Sequence, residues 1–441
     1  SFVREAKYCL FRYFISSISS SQARKDQSIF TFLLPFLLLK NMKTYKRIES
    51  DNVSYESAQE SLGLSDEGSN YQQGVMFDSD IRNAELVIDE HNNDPFAVMR
   101  IQTYDDAPMA KGQDEVVLKI EASTVSSIDC QIRDGTYQWK FGQKPAFPIV
   151  PGVDCVGVVT SCGALATMNG IAPGDRVASF QLHGCNAKYK LVKYTDLVRV
   201  PEGVDPAEAV AMIRTYTAAF QALMQGIHGH GRYSRKPLLH KRVLIVGPCG
   251  TFERALVELG IFLGAKKIYF SAHSTSHSHE NYIRLLGAKP LDEDPDEWLD
   301  DLEGKIDIAI DSVCIDRFEH TFSALDEDGI LVAAGMADIE KCNDFISNVE
   351  KLWTHTTIKL SNQCTYYHGF IHEWENEKER CMKDLVYLYN LLANGKIKPK
   401  IATRIPMLKV AAAQERLDQN LESMERRGIV VVDPWLLPVL E

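Results

Sequence analysis

The chain has 441 residues, enough for two domains and an appendage. Its 48 basic residues against 60 acidic ones leave a formal charge of −12, which argues against a nucleic-acid surface built on net charge. No apolar run reaches the roughly 18 residues a membrane helix needs, and ten cysteines without a C-x-x-C pair argue for a reducing compartment rather than a disulfide framework or cysteine-rich zinc site.

The first methionine after Ser1 is Met42. Residues 1–41 hold the longest apolar run, Ile29 to Leu39, behind Arg4, Lys7, Arg12, Arg24 and Lys25. Basic residues ahead of about eleven apolar ones resemble a signal-peptide core. Pro35 inside the run, Lys40 at its end and the lack of a small-residue cleavage site speak against that. Two readings stay open: a cytoplasmic protein translated from Met42, or an organelle-targeting leader. Residues 43–83 are polar and turn acidic, and read as a disordered tail that completes a non-domain segment 1–83.

From Ala84 the pattern changes. AELVIDE, FAVMRIQTYDD and EVVLKIEAS alternate apolar and polar residues between Asn, Asp and Pro breaks, as antiparallel strands do. Phe147 to Thr160 reads as a further strand pair around a proline-glycine bend, and Pro173-Gly174-Asp175 as a turn feeding the strand RVASF. At Asp205 helical spacing takes over, with Asp205 as N-cap and Pro206 at the first helical position.

Lys241 to Ala272 then reads as strand, glycine turn, four-turn helix and second strand, the entry to a dinucleotide-binding fold. Gly247 and Gly250 hold two of the three glycine positions, and Glu253 stands at the third. A carboxylate there would repel a pyrophosphate and crowd the helix against the strand. Cys249 reads as a small residue filling the bend rather than a redox centre. A short helix 280–286, the strands Ile306–Val313 and 329–335, a helix 381–393, a second from about Lys409 to Arg426, and the strand GIVVV follow. Strands alternating with helices imply a parallel sheet with helices on both faces.

These segments together resemble the medium-chain dehydrogenase/reductase superfamily, in its zinc-free quinone oxidoreductase or enoyl reductase branch, over residues 84–435. EVVLKIEASTVSSIDCQIRDGTY, FPIVPGVDCVGVV, PGDRV, TAAFQAL, the glycine turn, LLGA, IDIAIDSV and LESMERRGIVVV carry the resemblance in order. It implies an α/β chain with a GroES-like β-barrel domain (residues 84–215, completed by 366–441) and an inserted Rossmann domain (216–365), with the cofactor in the cleft between them. It also implies a small-molecule substrate and a homodimer, and the charge and hydropathy above argue against nucleic acid and membrane as partners.

The zinc-dependent branch has a cysteine where Ser126 stands and a His-Glu pair where Val153-Asp154 stand. With too few ligands at those positions, no metal site is expected. HSTSHSH (His273–His279) reads as a polar loop. Without zinc, the resemblance implies hydride transfer from reduced nicotinamide to a quinone or α,β-unsaturated carbonyl. Tyr137 would donate to the developing oxyanion, although a tyrosine packed after Gly135 is the structural alternative. Ser126 would hydrogen-bond substrate or cofactor, and Thr217 would contact the nicotinamide side. Asp129 and Arg133 match the family as well, and read as an ion pair inside the barrel. The second Rossmann strand ends in Ser271 and His273 with no carboxylate, which favours NADPH over NADH; His277 or Arg284 would have to serve as its basic clasp. Glu253, Cys314-Ile315 in place of a small pair, and Pro248 in the phosphate loop depart from the family. They support an alternative reading as a cofactor-impaired binding or scaffold protein.

Overall fold

The computed structural model describes residues 82–140, 144–227, 232–248, 250–272, 283–313, 318–334 and 361–436. The leader, nearly all of the acidic tail, Cys249, the tract His273–His279 and Cys314-Ile315 lie outside these residues. Among the described residues no helix is long and apolar enough to cross a membrane.

The chain enters as an antiparallel pair, Asn83–Ile88 with Met99–Tyr104. The intervening Pro95–Val98 is a short helix rather than strand, because Asp94 accepts a hydrogen bond from the Phe96 amide and Pro95 pre-sets the first helical position. A seven-stranded sheet follows, and its spatial order is Ile401–Ile405, Ile429–Val432, Glu115–Thr124, Asp154–Cys162, Arg176–Phe180, Leu197–Arg199, with Tyr189–Lys193 pairing Glu115–Thr124. Two of these strands come from the C-terminal segment, so the last residues of the chain close the first domain. The strand pair expected over 147–160 is half present. Asp154–Cys162 is a strand, whereas Ile149 makes only an isolated bridge to Ile88.

Asp205 caps the connecting helix Pro206–Ala211 by accepting from the Ala207 and Glu208 amides. The helix then widens into a π-turn, Met212–Tyr216, before continuing as Thr217–Gln225. One extra residue in a turn rotates the side chains that follow it, and such turns recur at functional sites.

Six strands form the second sheet in the order Lys289–Leu291, Lys267–Ala272, Arg242–Gly247, Ile306–Asp311, Leu325–Ala333, Cys364–Tyr366, and every pairing is parallel. Numbered along the chain this is 3-2-1-4-5-6, the doubly wound dinucleotide-binding order. Val243, Leu244 and Ile245 are fully buried, as a strand covered on both faces requires. The start of that strand is pinned by Arg242, which donates to Asp307 and Asp326 far from the glycine turn. Strands 1 and 4 part at the switch point, so the ligand crevice opens beyond Gly247 and Asp311.

Candidate active site

Two cavities meet this topology. One, of about 380 Å³, is walled by Thr124–Ile128 and Asp154 of the barrel sheet, by Arg214 and Thr215 of the π-turn, by Thr251, Phe252 and Ser312 of the Rossmann side, and by residues 367–371. The other, of about 390 Å³, sits at the carboxyl ends of strands 1, 2 and 4, against Val246, Ser271 and Asp311.

In the first cavity the polar groups are tightly held. Ser126 caps the helix Ser127–Asp134, and its hydroxyl donates to Asp129 Oδ2 at 2.7 Å; its amide donates to the same oxygen at 2.8 Å. Asp129 Oδ1 accepts from the Gly152 amide at 2.8 Å. A hydroxyl already donating to a carboxylate has only lone pairs to offer a ligand, so Ser126 is an acceptor here. Asp154 Oδ1 accepts from the Thr124 hydroxyl at 2.6 Å and from its amide at 3.2 Å. Burial pushes both carboxyls, Asp129 and Asp154, above the usual range, and the nearby Arg214 charge pulls each back. Asp129 and Arg133 do not pair with each other. Arg133 is buried and donates to Asp418, Gln414 and the Asn92 carbonyl, tying its helix to the C-terminal one.

The structure brings only some of the expected residues together. Tyr137 does not line the cavity. It is half-buried beyond the left-handed Gly135, its ring edge-on to Trp139 at 4.8 Å, and burial raises its phenol pKa. Thr217 is fully buried, and its hydroxyl donates to the Met212 carbonyl at 2.9 Å inside the π-turn, so Thr215 and Arg214 face the cavity instead. Gly247 ends strand 1, Gly250 caps the helix Thr251–Phe262, and Ser271 lines the second cavity while donating to the Asp292 carbonyl at 3.2 Å. His273 and His277 lie outside the described residues, and Arg284 does not line that cavity.

Sequence reasoning missed three groups. Arg214 is the one charged residue between Ala209 and Met224, a signal that was available. Tyr367, whose hydroxyl donates to Gln221 at 3.0 Å, sits in a stretch with no marked pattern. Asp292, Glu293 and Asp294 line the second cavity beside Ser271, arriving from the loop after strand 3.

Glu253 occupies the glycine turn from inside. It is 3% exposed; Oε2 accepts from the Gly250 amide at 2.9 Å and Oε1 from the Ser312 hydroxyl at 2.8 Å. A Cβ at Gly247 would lie 2.6 Å from Ser312 Oγ and 2.7 Å from Glu253 Cγ, so the carboxylate arm fills the space above the strand end. Burial raises this carboxyl's pKa, against the Ser312 and Gly250 hydrogen bonds that lower it.

The two cavities suit the two ends of a dinucleotide, and the helix N-terminus at Thr251 lies on the wall of the first. The middle of the path is less favourable: Pro248 has no amide hydrogen, and the Gly250 amide is already given to Glu253. The cavities leave room for the group, and the glycine turn has fewer free amides to offer its phosphates.

The alcohol dehydrogenase GroES-like domain family matches residues 112–202, and the zinc-binding dehydrogenase family matches residues 286–432. The chain is 22% identical over 322 residues to the synaptic vesicle membrane protein VAT-1 homolog of Danio rerio, a match covering 69% of this chain and 62% of that one. It is 23% identical over 326 residues to the quinone oxidoreductase of Pongo abelii, covering 73% of this chain and 90% of the relative. The Escherichia coli quinone oxidoreductase complexed with NADPH shares the fold, with a TM-score of 0.60 at 18% identity over 80% of this chain and 100% of that chain.

Proposed function

The chain belongs to the medium-chain dehydrogenase/reductase superfamily, in its quinone oxidoreductase-like branch, and on that premise we propose that it is a zinc-independent reductase taking NADPH and a quinone or α,β-unsaturated carbonyl. The observation that carries the reading is the first cavity, which joins polar barrel groups to the N-terminal turn of the Rossmann helix. When bound, the nicotinamide supplies the hydride. The chain supplies the rest: Phe252, Ala334 and Ile371 form apolar wall that limits water, and Ser126, Asp154 and Arg214 polarise the opposite wall.

NADPH is the proposed donor because the strand ending at Ser271 brings no carboxylate of its own, and the Escherichia coli neighbour was solved with NADPH. The three acidic residues beside Ser271 oppose its extra phosphate, and Glu253 opposes the pyrophosphate, so binding is weak. Purified protein should oxidise NADPH, followed at 340 nm, when given a simple quinone or a conjugated aldehyde. Absence of oxidation with every acceptor, together with no fluorescence change on titrating NADPH, would overturn the reading. The second reading, a reductase-like binding or scaffold protein, would then stand; the inward turn of Glu253 onto the Gly250 amide favours it.

Zinc does not suit the donor set. The Ser126 hydroxyl is neutral and committed to Asp129, Val153 has no donor atom, and the Arg214 cation sits 3.7 Å from Asp154 Oδ2, where a dication would be repelled. Elemental analysis should find no stoichiometric zinc, and chelators should leave activity and melting temperature unchanged. About one zinc per chain would remove this part of the proposal.

A further inference from the structure

The least satisfied charge in the first cavity belongs to Arg214. Its side chain keeps 22% of its exposure, and its nearest carboxylate oxygen, Asp154 Oδ2, is 3.7 Å from Nε, beyond hydrogen-bond reach. Nε is buried without a hydrogen-bond partner, and Asp154 is the carboxylate that faces the guanidinium. A guanidinium has five donors in a rigid fork, and leaving them unpaired away from bulk water is costly unless a ligand takes them. The π-turn Met212–Tyr216 is the backbone device that presents Arg214 here, while Thr217 one step on is turned back onto Met212. The group that the sequence offered as donor to an oxyanion, Tyr137, lies off the cavity wall, and the Ser126 hydroxyl, expected to hydrogen-bond substrate or cofactor, already donates to Asp129.

We propose that Arg214 is the group that binds the substrate's carbonyl oxygen and stabilises the negative charge it acquires on reduction. This rests on the reductase reading and names its electrophilic residue. In that reaction a hydride arrives at the β-carbon of a conjugated carbonyl, and the nicotinamide ring that loses it is oxidised. The C=C π pair moves to place the charge on oxygen as an enolate, and a solvent proton finally reaches the α-carbon. The charge develops on oxygen, facing a cation that is in place beforehand and requires no reorganisation. Asp154 is what keeps the cation there. Its Oδ1 accepts two hydrogen bonds from Thr124, and its Oδ2 holds the guanidinium at 3.7 Å while Nε stays without a hydrogen-bond partner. The other titratable groups on this cavity's wall are Tyr367, which donates to Gln221, and His368; Asp129 lies behind Ser126.

The test uses 4-nitrophenol, an oxyanion probe that absorbs visibly only when ionised and needs neither cofactor nor turnover. Titrated with the full-length protein across neutral pH, bound probe should show its pKa lowered by about one unit or more, because the phenolate gains a buried cation. In Arg214→Gln the lowering should vanish, and in Arg214→Lys it should partly survive. An Asp154→Asn/Arg214→Gln double variant, which rebalances charge, should not restore it; restoration would mean that Arg214 serves only to neutralise Asp154. In the reductase assay Arg214→Gln should lower kcat by about a hundredfold with little change in NADPH affinity. No binding of the phenol at millimolar concentration, an unshifted bound pKa, or a shift that persists in Arg214→Gln would each overturn the proposal. A wild type that ionises the phenol but never oxidises NADPH would sink the reductase reading and leave the anion site standing.

Discussion

Replacing Glu253 with glycine should tighten NADPH binding by about five- to a hundredfold. The carboxylate is buried, and it holds the Gly250 amide that a pyrophosphate would use. One unpaired charge at roughly 4–6 Å from the pyrophosphate, in a partly screened site, costs about 1–3 kcal/mol, and that is the affinity range stated. Glycine at this position gives the amide back and removes the repulsion together. Glu253→Gln should recover only part of the gain, since the amide side chain keeps both the bulk and an acceptor for Gly250.

The same substitution has a stability cost. A lost cap and a glycine inside the first helical turn cost about 1 kcal/mol each, partly offset by removing a buried charge. Ser312 keeps a partner, because its hydroxyl also donates to the Val246 carbonyl at 3.2 Å. Fluorescence titration of the three proteins measures the affinity. A wild type binding at low micromolar concentration, with Glu253→Gly no tighter, would mean that this carboxylate does not face the phosphates. No binding by any of them would favour the scaffold reading. The pH dependence follows in sign. Burial raises the folded carboxyl above its unfolded value, so its contribution to stability is complete below about pH 4.5 and is lost as pH rises through the raised folded pKa. Wild type should therefore lose stability relative to Glu253→Gln across that window, as chemical denaturation at stepped pH would record.

Asp384→Ala should cost about 3–5 kcal/mol, the range for breaking a buried ion pair from one side. Asp384 lies fully buried on the helix Lys378–Ala393. It accepts from Arg232 through two nitrogens, from the Tyr233 hydroxyl at 2.8 Å and from Gln221 Nε2 at 3.2 Å. Truncation leaves a guanidinium at 26% exposure without its counter-charge and takes one acceptor each from the Tyr233 hydroxyl and from Gln221 Nε2, which keeps Cys381 Sγ. The damage should reach the cavity, because Gln221 also accepts from Tyr367 on its wall. Burial and the Asp384 charge push the Tyr233 phenol up to about 12, so it should titrate lower in the variant. Arg232→Met combined with Asp384→Leu should recover most of the loss, since neither charge is then stranded. A cost under about 1 kcal/mol for Asp384→Ala alone would show that water replaces the carboxylate and that the clamp is unimportant.

Much of the fold was legible because its signals are local. Asp205-Pro206 is a cap and a first helical residue wherever it occurs, and the structure places a helix there. RVLIVG and IDIAID are apolar runs with glycine or acid at the end, and both become central parallel strands. Misreadings arose where a short-range signal outweighed the period. PFAV looked like the start of a strand, yet Asp94 and Pro95 wind it into a turn of helix.

The sequence by itself determined the order of elements, the parallel sheet with its glycine turn, and the intrusion of Glu253 at the third glycine position, because these depend on residues a few positions apart. Only the tertiary structure decided which side chains face the cavities. Glu253 meets Ser312 across 59 residues, and Ser271 meets Asp292 across 21. Arg214 is turned to Asp154 by a π-turn that has no sequence signature, while Tyr137 packs edge-on against Trp139 away from the wall. A side chain's chemistry is set by the charges and donors within a few ångströms of it, and in this fold those arrive from distant strands and loops.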